Sequence, residues 1–265
     1  MHRLLEGKIA VVTGAGSGVG LAAVQLWCEN GAKVVAADIN EANARKTAEL
    51  VAEQGGQAIA ICCDVADPAS IQAAIDLAVQ EWGRLDVLYN NAGITINAQP
   101  GIGVRRLIDA PIDEMKRVED VNINGVIYGC QAAIRQFEKQ GTPGAIVNTA
   151  SVSGLIGYGG VVYGMTKAAV VGLTRTLALE VSDRDIRVNS VCPAGMLTHY
   201  SGMDPDSEHR DMILQNMGKA HPLGRAIDPR DTAAAAMFLA SDLAKNITGV
   251  SLPVDGGLSA GRKIG

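Results

Sequence analysis

The chain has 265 residues, enough for one large α/β domain with a full core, and its 48% hydrophobic and 3% aromatic content suits sheets of Val and Ile under Ala-rich helices. That composition excludes global disorder, and a formal charge of −5 without any Lys/Arg cluster excludes a basic field for nucleic acid. No apolar run reaches membrane-spanning length, and Met1 to Gly7 meet the first strand too soon for a secretory signal. Five cysteines, an odd number that includes the pair Cys62-Cys63, have no metal-ligand spacing and read as reduced cytosolic thiols.

Ile9 to Val12 is a short β-branched run, the pattern of a strand buried on both faces. Gly14, Gly16, Gly18 and Gly20 follow, and then Leu21, Val24 and Leu26 at helical spacing. Strand, glycine-rich turn and helix let a diphosphate approach backbone N–H groups at a helix N-terminus. A second buried strand, Lys33 to Ala37, ends in Asp38, whose carboxylate suits both hydroxyls of an adenosine ribose and repels a 2′-phosphate. Neither Ala15 nor Ile39 offers a cation to offset that charge. A methyl-transfer fold also places an acid there, but the spacing from Thr13 through Gly14 and Gly18 to Gly20 argues against it.

Further on, the pattern predicts a helix over Glu41 to Gln54 and a strand over Ala58 to Cys63 that runs into Asp64-Val65. A helix opens at Asp67-Pro68 and stops at Gly83, and the strand Leu85 to Tyr89 leads to Asn90-Asn91-Ala92-Gly93. The alternation implies right-handed crossovers and a mostly parallel, doubly wound sheet with helices on both faces in a single domain. Residues 94 to 112 read as irregular, and one long helix is expected from Asp113 to about Gln140. Strand Gly144 to Thr149 carries Ser151 at its end, and a later helix holds Tyr163 and Lys167. Ile186 to Val191 is the sixth strand and ends at Pro193. Residues 196 to 222 read as a flap with a short helix, Asp228-Pro229 caps the last long helix, and Val250 to Val254 is a final strand that Pro253 marks as an edge.

Tyr163 and Lys167, four apart, share a helix face. Free tyrosine, with a pKa of about 10, is a poor base near neutrality, and lowering it by ~3 units takes roughly 4 kcal/mol. A lysine cation and a positive nicotinamide ring together could supply that in a partly dry site. Ser151 stands on the ligand-binding side of a parallel strand, and Asn122, a poor mid-helix residue, is placed to hold a water on its backbone or side chain that passes protons from Lys167.

These motifs, in this order, resemble the classical short-chain dehydrogenase/reductase family over essentially the full chain. The resemblance rests on Thr13 to Gly20, Asp64-Val65, Asn90 to Gly93, Asn122, Ser151, Tyr163-x-x-x-Lys167 and Val254-Asp255-Gly256-Gly257. It implies a seven-stranded Rossmann-type sheet, a nicotinamide cofactor and the catalytic set Asn122, Ser151, Tyr163 and Lys167. The cofactor contacts it implies begin with Gly14, Ser17, Gly18, Val19 and Gly20, continue through Asp38, Ile39, Asp64 and Val65, and pass by Asn91, Ala92 and Gly93. They end with Tyr163, Lys167, Pro193, Met196 and Thr198. No metal is implied.

Three departures stand out: Pro193-Ala194-Gly195 replaces the usual Pro-Gly pair, twelve residues separate Ser151 from Tyr163 where thirteen is typical, and the stretch from Gly93 to Asn122 is extended. Thr198 nevertheless keeps the five-residue distance from proline at which this family often contacts the carboxamide. In the extension, Arg105 and Arg106 read as solvated loop charges rather than contacts to an acidic substrate; Ser153 reads as a second polar group beside Ser151, and His199 as incidental. Ile94, Met196, Leu197, Met203 and Met212 suggest an adaptable apolar pocket.

The expected activity is NAD-dependent interconversion of a secondary alcohol and its ketone, on a cyclic or bulky neutral substrate. A 3-oxoacyl-thioester reductase is the alternative, which would call for NADPH and a basic surface patch; a non-catalytic dinucleotide-binding regulator is a further one. Surplus apolar residues at Ala168, Val170, Val171 and Leu173, with the resemblance, imply a homotetramer.

Overall fold

The computed structural model describes residues 3–96, 105–198, 200 and 204–261. His199 and Met203 therefore lie outside the described residues. The strands β1 (Ile9–Thr13), β2 (Lys33–Asp38), β3 (Gln57–Cys62), β4 (Val87–Asn90), β5 (Gly144–Thr149), β6 (Ile186–Pro193) and β7 (Ser251–Val254) form one sheet. Their order is β3-β2-β1-β4-β5-β6-β7, and each neighbouring pair is parallel. The order reverses between β1 and β4, so a crevice opens beyond their C-terminal ends, where such sheets take ligands.

Alternate residues of each strand supply opposite faces. Ile9, Val11, Val35 and Ala37 pack with Ile71 and Ile75 of α3 (Pro68–Trp82), Phe137 of α5 (Gly125–Gln140) and Val170 of α6 (Val161–Glu180). Ala10, Val12, Val34 and Ala36 face the other way, onto Val24 and Trp27 of α1 (Gly18–Glu29) and Ala236 of α8 (Pro229–Ala240). Trp27 stacks on Tyr89 with ring centroids 5.4 Å apart. Such a pair contributes about 0.5–1.5 kcal/mol beyond its burial. Residues small enough for close helix packing, with few aromatics, thus fill both layers.

Local signals fix the helix ends. Asn40 caps α2 (Glu41–Glu53) by accepting from Asn43 N, and Asp67 caps α3 by accepting from Ala69 N. Gly83 closes α3 at φ 88°, a conformation that suits glycine. Asp228 and Asp231 form a reciprocal capping box on α8. Strand β7 is an edge strand, as Pro253 implied.

The long helix expected over Asp113–Gln140 is instead α4 (Ile112–Glu119) and α5, joined by a single π-helical turn at Asp120–Asn124. The turn coincides with a tertiary contact, in which Asn122 exchanges two hydrogen bonds with the backbone of Ile94. The short helix of the flap is α7 (Arg210–Gly218). On α6, Val170 and Val171 are buried within the protomer and Leu173 packs on the same core. Of the residues taken as surplus apolar surface, only Ala168 is exposed; the exposed large apolar side chains of this helix are Val161, Met165 and Leu179.

The β1–α1 loop depends on one close approach. A Cβ on Gly20 would stand 2.0 Å from the Gly14 carbonyl oxygen. We therefore expect Gly20→Ala to cost roughly 1–3 kcal/mol or more through overpacking and to lower the melting temperature by several degrees. A thermal melt checks this, and an unchanged midpoint would contradict the packing argument.

Candidate active site

A cleft of about 1220 Å³ runs along the crevice. One end is the glycine loop. Gly14 and Gly18 have φ values of 64° and 51°, which side-chain-bearing residues rarely adopt. Ser17 precedes α1 without capping it, and no acidic residue occupies the first turn, so the helix N-terminus presents free N–H groups and a positive dipole end to the cleft. Asp38, at the end of β2, accepts from Gly16 N at 2.8 Å and Asn40 N at 2.8 Å, which fixes its carboxylate beside the loop.

A polar clamp follows. Thr13 Oγ1 accepts from Asn91 N at 3.0 Å and Ala92 N at 3.1 Å, while Asn91 Nδ2 donates to Thr13 O at 3.0 Å. Thr149 Oγ1 donates to Asn91 Oδ1 at 3.3 Å. The ends of β1, β4 and β5 are thereby tied together under the cleft. Behind them, Asn90 Nδ2 reaches Asn148 Oδ1 at 3.0 Å, and Asn148 Nδ2 reaches Thr174 Oγ1 at 3.1 Å.

The far end of the cleft carries Ser151, Tyr163 and Lys167. Lys167 Nζ donates to Thr149 O at 2.8 Å and stands 5.6 Å from the centre of the Tyr163 ring. Ser151 accepts from Ser153 N at 3.1 Å, and its hydroxyl is 3.3 Å from Ser153 Oγ and 3.3 Å from Pro193 O. Asn122 is fully buried: its Oδ1 accepts from Ile94 N at 2.8 Å, and its Nδ2 donates to Ile94 O at 2.8 Å and Thr166 Oγ1 at 3.1 Å. Both donor hydrogens of its side chain are thus spent on neighbouring protein groups.

Burial sets the electrostatics. It pushes the Tyr163 phenol above its ordinary value. It pushes Lys167 down to about 8. The lowering of Tyr163 expected from Lys167 and a nicotinamide ring together is not seen in the chain by itself, where desolvation is the largest influence.

A family profile described as "Enoyl-(Acyl carrier protein) reductase" matches residues 14–259. Relatives and solved structures agree with it in kind. The chain is 40% identical to the 3beta-hydroxysteroid dehydrogenase 2 of Eggerthella lenta, over 97% of this chain and 96% of that protein. It is 39% identical to the 2,5-dichloro-2,5-cyclohexadiene-1,4-diol dehydrogenase LinX of Sphingobium indicum, over 98% and 100%. The chain is a classical short-chain dehydrogenase/reductase. A crystal structure of 3-ketoacyl-(acyl-carrier-protein) reductase from Brucella melitensis complexed with NADH superposes with a TM-score of 0.85 at 33% identity, covering 96% of this chain and 99% of that one.

As a member of this family the dehydrogenase/reductase is an oxidoreductase on secondary alcohols that uses a nicotinamide dinucleotide. Its cleft fits that group, for the free N–H groups and the side-chain-free loop suit a diphosphate. Sixteen of the residues expected to hold it line the cleft, from Gly14, Ser17, Gly18 and Val19 through Asp38, Ile39, Asp64 and Val65 to Asn91, Ala92, Gly93, Tyr163, Lys167, Pro193, Met196 and Thr198. Gly20 does not line it; it is packed on Gly14 O instead.

Other expectations need correction. Arg105 is not a solvated charge: it lines the cleft with its side chain 11% exposed, paired to Glu114 at 3.2 Å. Arg106 is exposed and outside the lining. Ile94 and Met196 line the cleft, Leu197 is buried outside it, and Met212 lies exposed on α7. Among the described residues no cluster suits a metal ion, and no helix is long and apolar enough to cross a membrane. Sequence reasoning missed Tyr158 and Tyr200, which line the cleft; only the scarcity of aromatic residues signalled them.

Lys167 carries a proton at about pH 8 in the folded chain, but up to about pH 10.4 when unfolded. Between those values the unfolded chain binds more protons, so stability rises with pH as the buried charge is shed. We expect the melting temperature of the wild type to gain on that of Lys167→Met between pH 7 and 10. A constant difference across that range would contradict the buried-ammonium assignment.

Proposed function

We propose that this enzyme interconverts a secondary alcohol and its ketone with NAD, on a cyclic or bulky neutral substrate. The observation that carries the reading is the convergence of Ser151, Tyr163 and Lys167 at one end of a cleft whose other end holds Asp38. The steroid and cyclohexadiene-diol dehydrogenases among its relatives act, by name, on ring alcohols, which supports the substrate class. Ile94, Tyr158, Met196 and Tyr200 give the cleft apolar walls of adaptable shape.

In oxidation, Tyr163 as phenolate takes the hydroxyl proton while Ser151 orients the substrate oxygen. Lys167 holds the ribose hydroxyls and favours the phenolate, and the Asn122 carbonyl positions the water that carries the proton outward. When bound, the nicotinamide supplies the hydride acceptor for oxidation or the donor for reduction, and its positive oxidised ring adds to the field that Lys167 starts.

A second reading, a 3-oxoacyl-thioester reductase, is favoured by the profile description and the Brucella structure's title. An acidic chain with Asp38 at the ribose position supports it less well. A non-catalytic regulator is opposed by the intact catalytic set. We read residues 1–265 as one NAD-binding domain, cytoplasmic from its free thiols, and assembled as a homotetramer through α4, α5, α6 and the β7 edge.

Tyr163→Phe is expected to lose orders of magnitude in kcat while NAD still binds, since the diphosphate and adenosine contacts lie elsewhere. Near-normal turnover of this variant with a good substrate would overturn the base assignment. In the wild type the oxidation rate should climb with pH through an apparent pKa below that of free tyrosine.

Cofactor choice follows from charge. The cationic residues among the described cleft lining are Arg105, Arg117 and Lys167, and none lies on the β1–α1 loop or at the end of β2. NAD should be strongly preferred, and Asp38→Ala should weaken NAD binding and narrow the preference. Comparable kcat/KM with NAD and NADP in the wild type would refute this.

A further inference from the structure

Six glycines line the cleft among the described residues, and for five of them the protein itself supplies the reason. Gly14, Gly18, Gly159 and Gly160 have φ values between 51° and 96°, where a side chain is strained. A Cβ on Gly93 would stand 3.3 Å from both Asn122 Oδ1 and Lys167 Nζ. Gly195 has neither reason. Its φ is not positive, and a Cβ there would meet two atoms of the described residues within 4 Å, Met217 Cε at 3.7 Å and Tyr158 Oη at 4.0 Å. Both are ordinary contacts, so the chain leaves open, on the cleft wall, a space that a side chain would fill.

That space lies beside the catalytic groups. Pro193 O is 3.3 Å from the Ser151 hydroxyl. Gly195 follows two residues later, no more than about 8 Å along the chain. On one side stands Tyr158, next to Gly159, whose Cβ position is 3.8 Å from Tyr163 Cδ1. On the other stands Met217, in the last turn of α7. The backbone is fixed on both sides of Gly195: Ala194 N donates to Val254 O at 3.2 Å, and Met196 forms a parallel bridge with Ile227. Met217 is held as well, its carbonyl accepting from Nδ1 of the buried His221 at 2.9 Å.

We propose that Gly195 is a specificity-determining residue: its missing side chain opens a slot between Tyr158 and Met217 that takes a second ring of the alcohol whose hydroxyl reacts at Tyr163. The inference rests on the proposed oxidation of ring alcohols and names the feature that admits the larger ones. A thioether methyl and an aromatic side chain are walls that suit hydrocarbon rather than charge. A pocket of this kind discriminates by size, because a single methylene gained or lost changes kcat/KM by about 10–200-fold.

The test is Gly195→Val, with Gly195→Ala as the smaller step. Cyclohexanol and its fused two-ring counterpart 2-decalol are compared with NAD as the oxidant. The ratio of kcat/KM for 2-decalol to that for cyclohexanol should fall about tenfold or more in Gly195→Val, mostly through KM. It should fall by less in Gly195→Ala, which carries the comparison if the valine variant does not fold. The same pair of ring sizes is measured by calorimetry, as cyclohexanone and 2-decalone binding to the NADH-loaded protein, where no turnover is needed. An unaltered ratio, or an equal loss for both ring sizes, would overturn the proposal. Weaker NAD binding by Gly195→Ala would overturn it too, since the space would then belong to the cofactor. If the wild type oxidised neither alcohol while Gly195→Val still weakened 2-decalone binding selectively, the proposed reaction would fail and the slot would stand.

Discussion

Three strand ends must stay in register for this site to exist, and a few hydrogen bonds hold them. Thr13 closes β1 and takes two N–H groups from the end of β4 through one hydroxyl. Asn91 returns a bond to Thr13 and accepts one from Thr149 at the end of β5. Thr149 in turn offers its carbonyl to Lys167. The glycine loop and Lys167 are thus joined through side chains at the ends of three adjacent strands. A buried polar network of this kind is rigid when complete and costly when broken. Nothing in the loop's own sequence would hold it at a fixed distance from Lys167.

The same region carries the structure's electrostatic cost. Lys167 is buried and Tyr163 half-buried on the cleft wall, and desolvation pushes each toward its neutral form. That is unfavourable for the chain alone and useful for proton transfer, because a poised pair responds strongly to one added charge. The Val- and Ala-filled layers on both faces of the sheet supply the stability that offsets it. Ser151, Tyr163 and Lys167 are thus carried by the end of β5 and by α6, elements packed into those layers.

The strands were legible because each is a β-branched or Ala-rich run between turn signals, and the order of elements follows from their alternation. Boundaries shifted by a residue or two, as at β3 and β4, where the edge residues belong to either loop or strand. The π-turn at Asn122 was not legible, and the contact that accompanies it is to Ile94, far away in sequence. Arg105 misled for a similar reason: its partner Glu114 lies nine residues on, across an irregular segment. Val170 and Val171 were read as surface because periodicity gives a face without saying what covers it. Tyr158 and Tyr200 were marked only by the scarcity of aromatic residues, for a single aromatic has no period and no motif.

Three of the residues misread or missed, Arg105, Tyr158 and Tyr200, line the cleft. The cofactor half is built from backbone, strand ends and a glycine loop, whose spacing a sequence must preserve to fold. The rest of the cleft is lined by side chains that stand outside the long helices and the strands, among them Ile94, Arg105, Tyr158, Met196 and Tyr200. Positions on connecting segments are constrained less by regular hydrogen bonding than positions in a strand. Substitution there changes the shape of the pocket at small cost to the sheet, whereas substitution at Thr13, Gly20 or Asn91 disturbs the fold and the site together. The reaction is therefore written in the part of the chain that a sequence reveals. Its substrate is set by the part in which tertiary contacts decide.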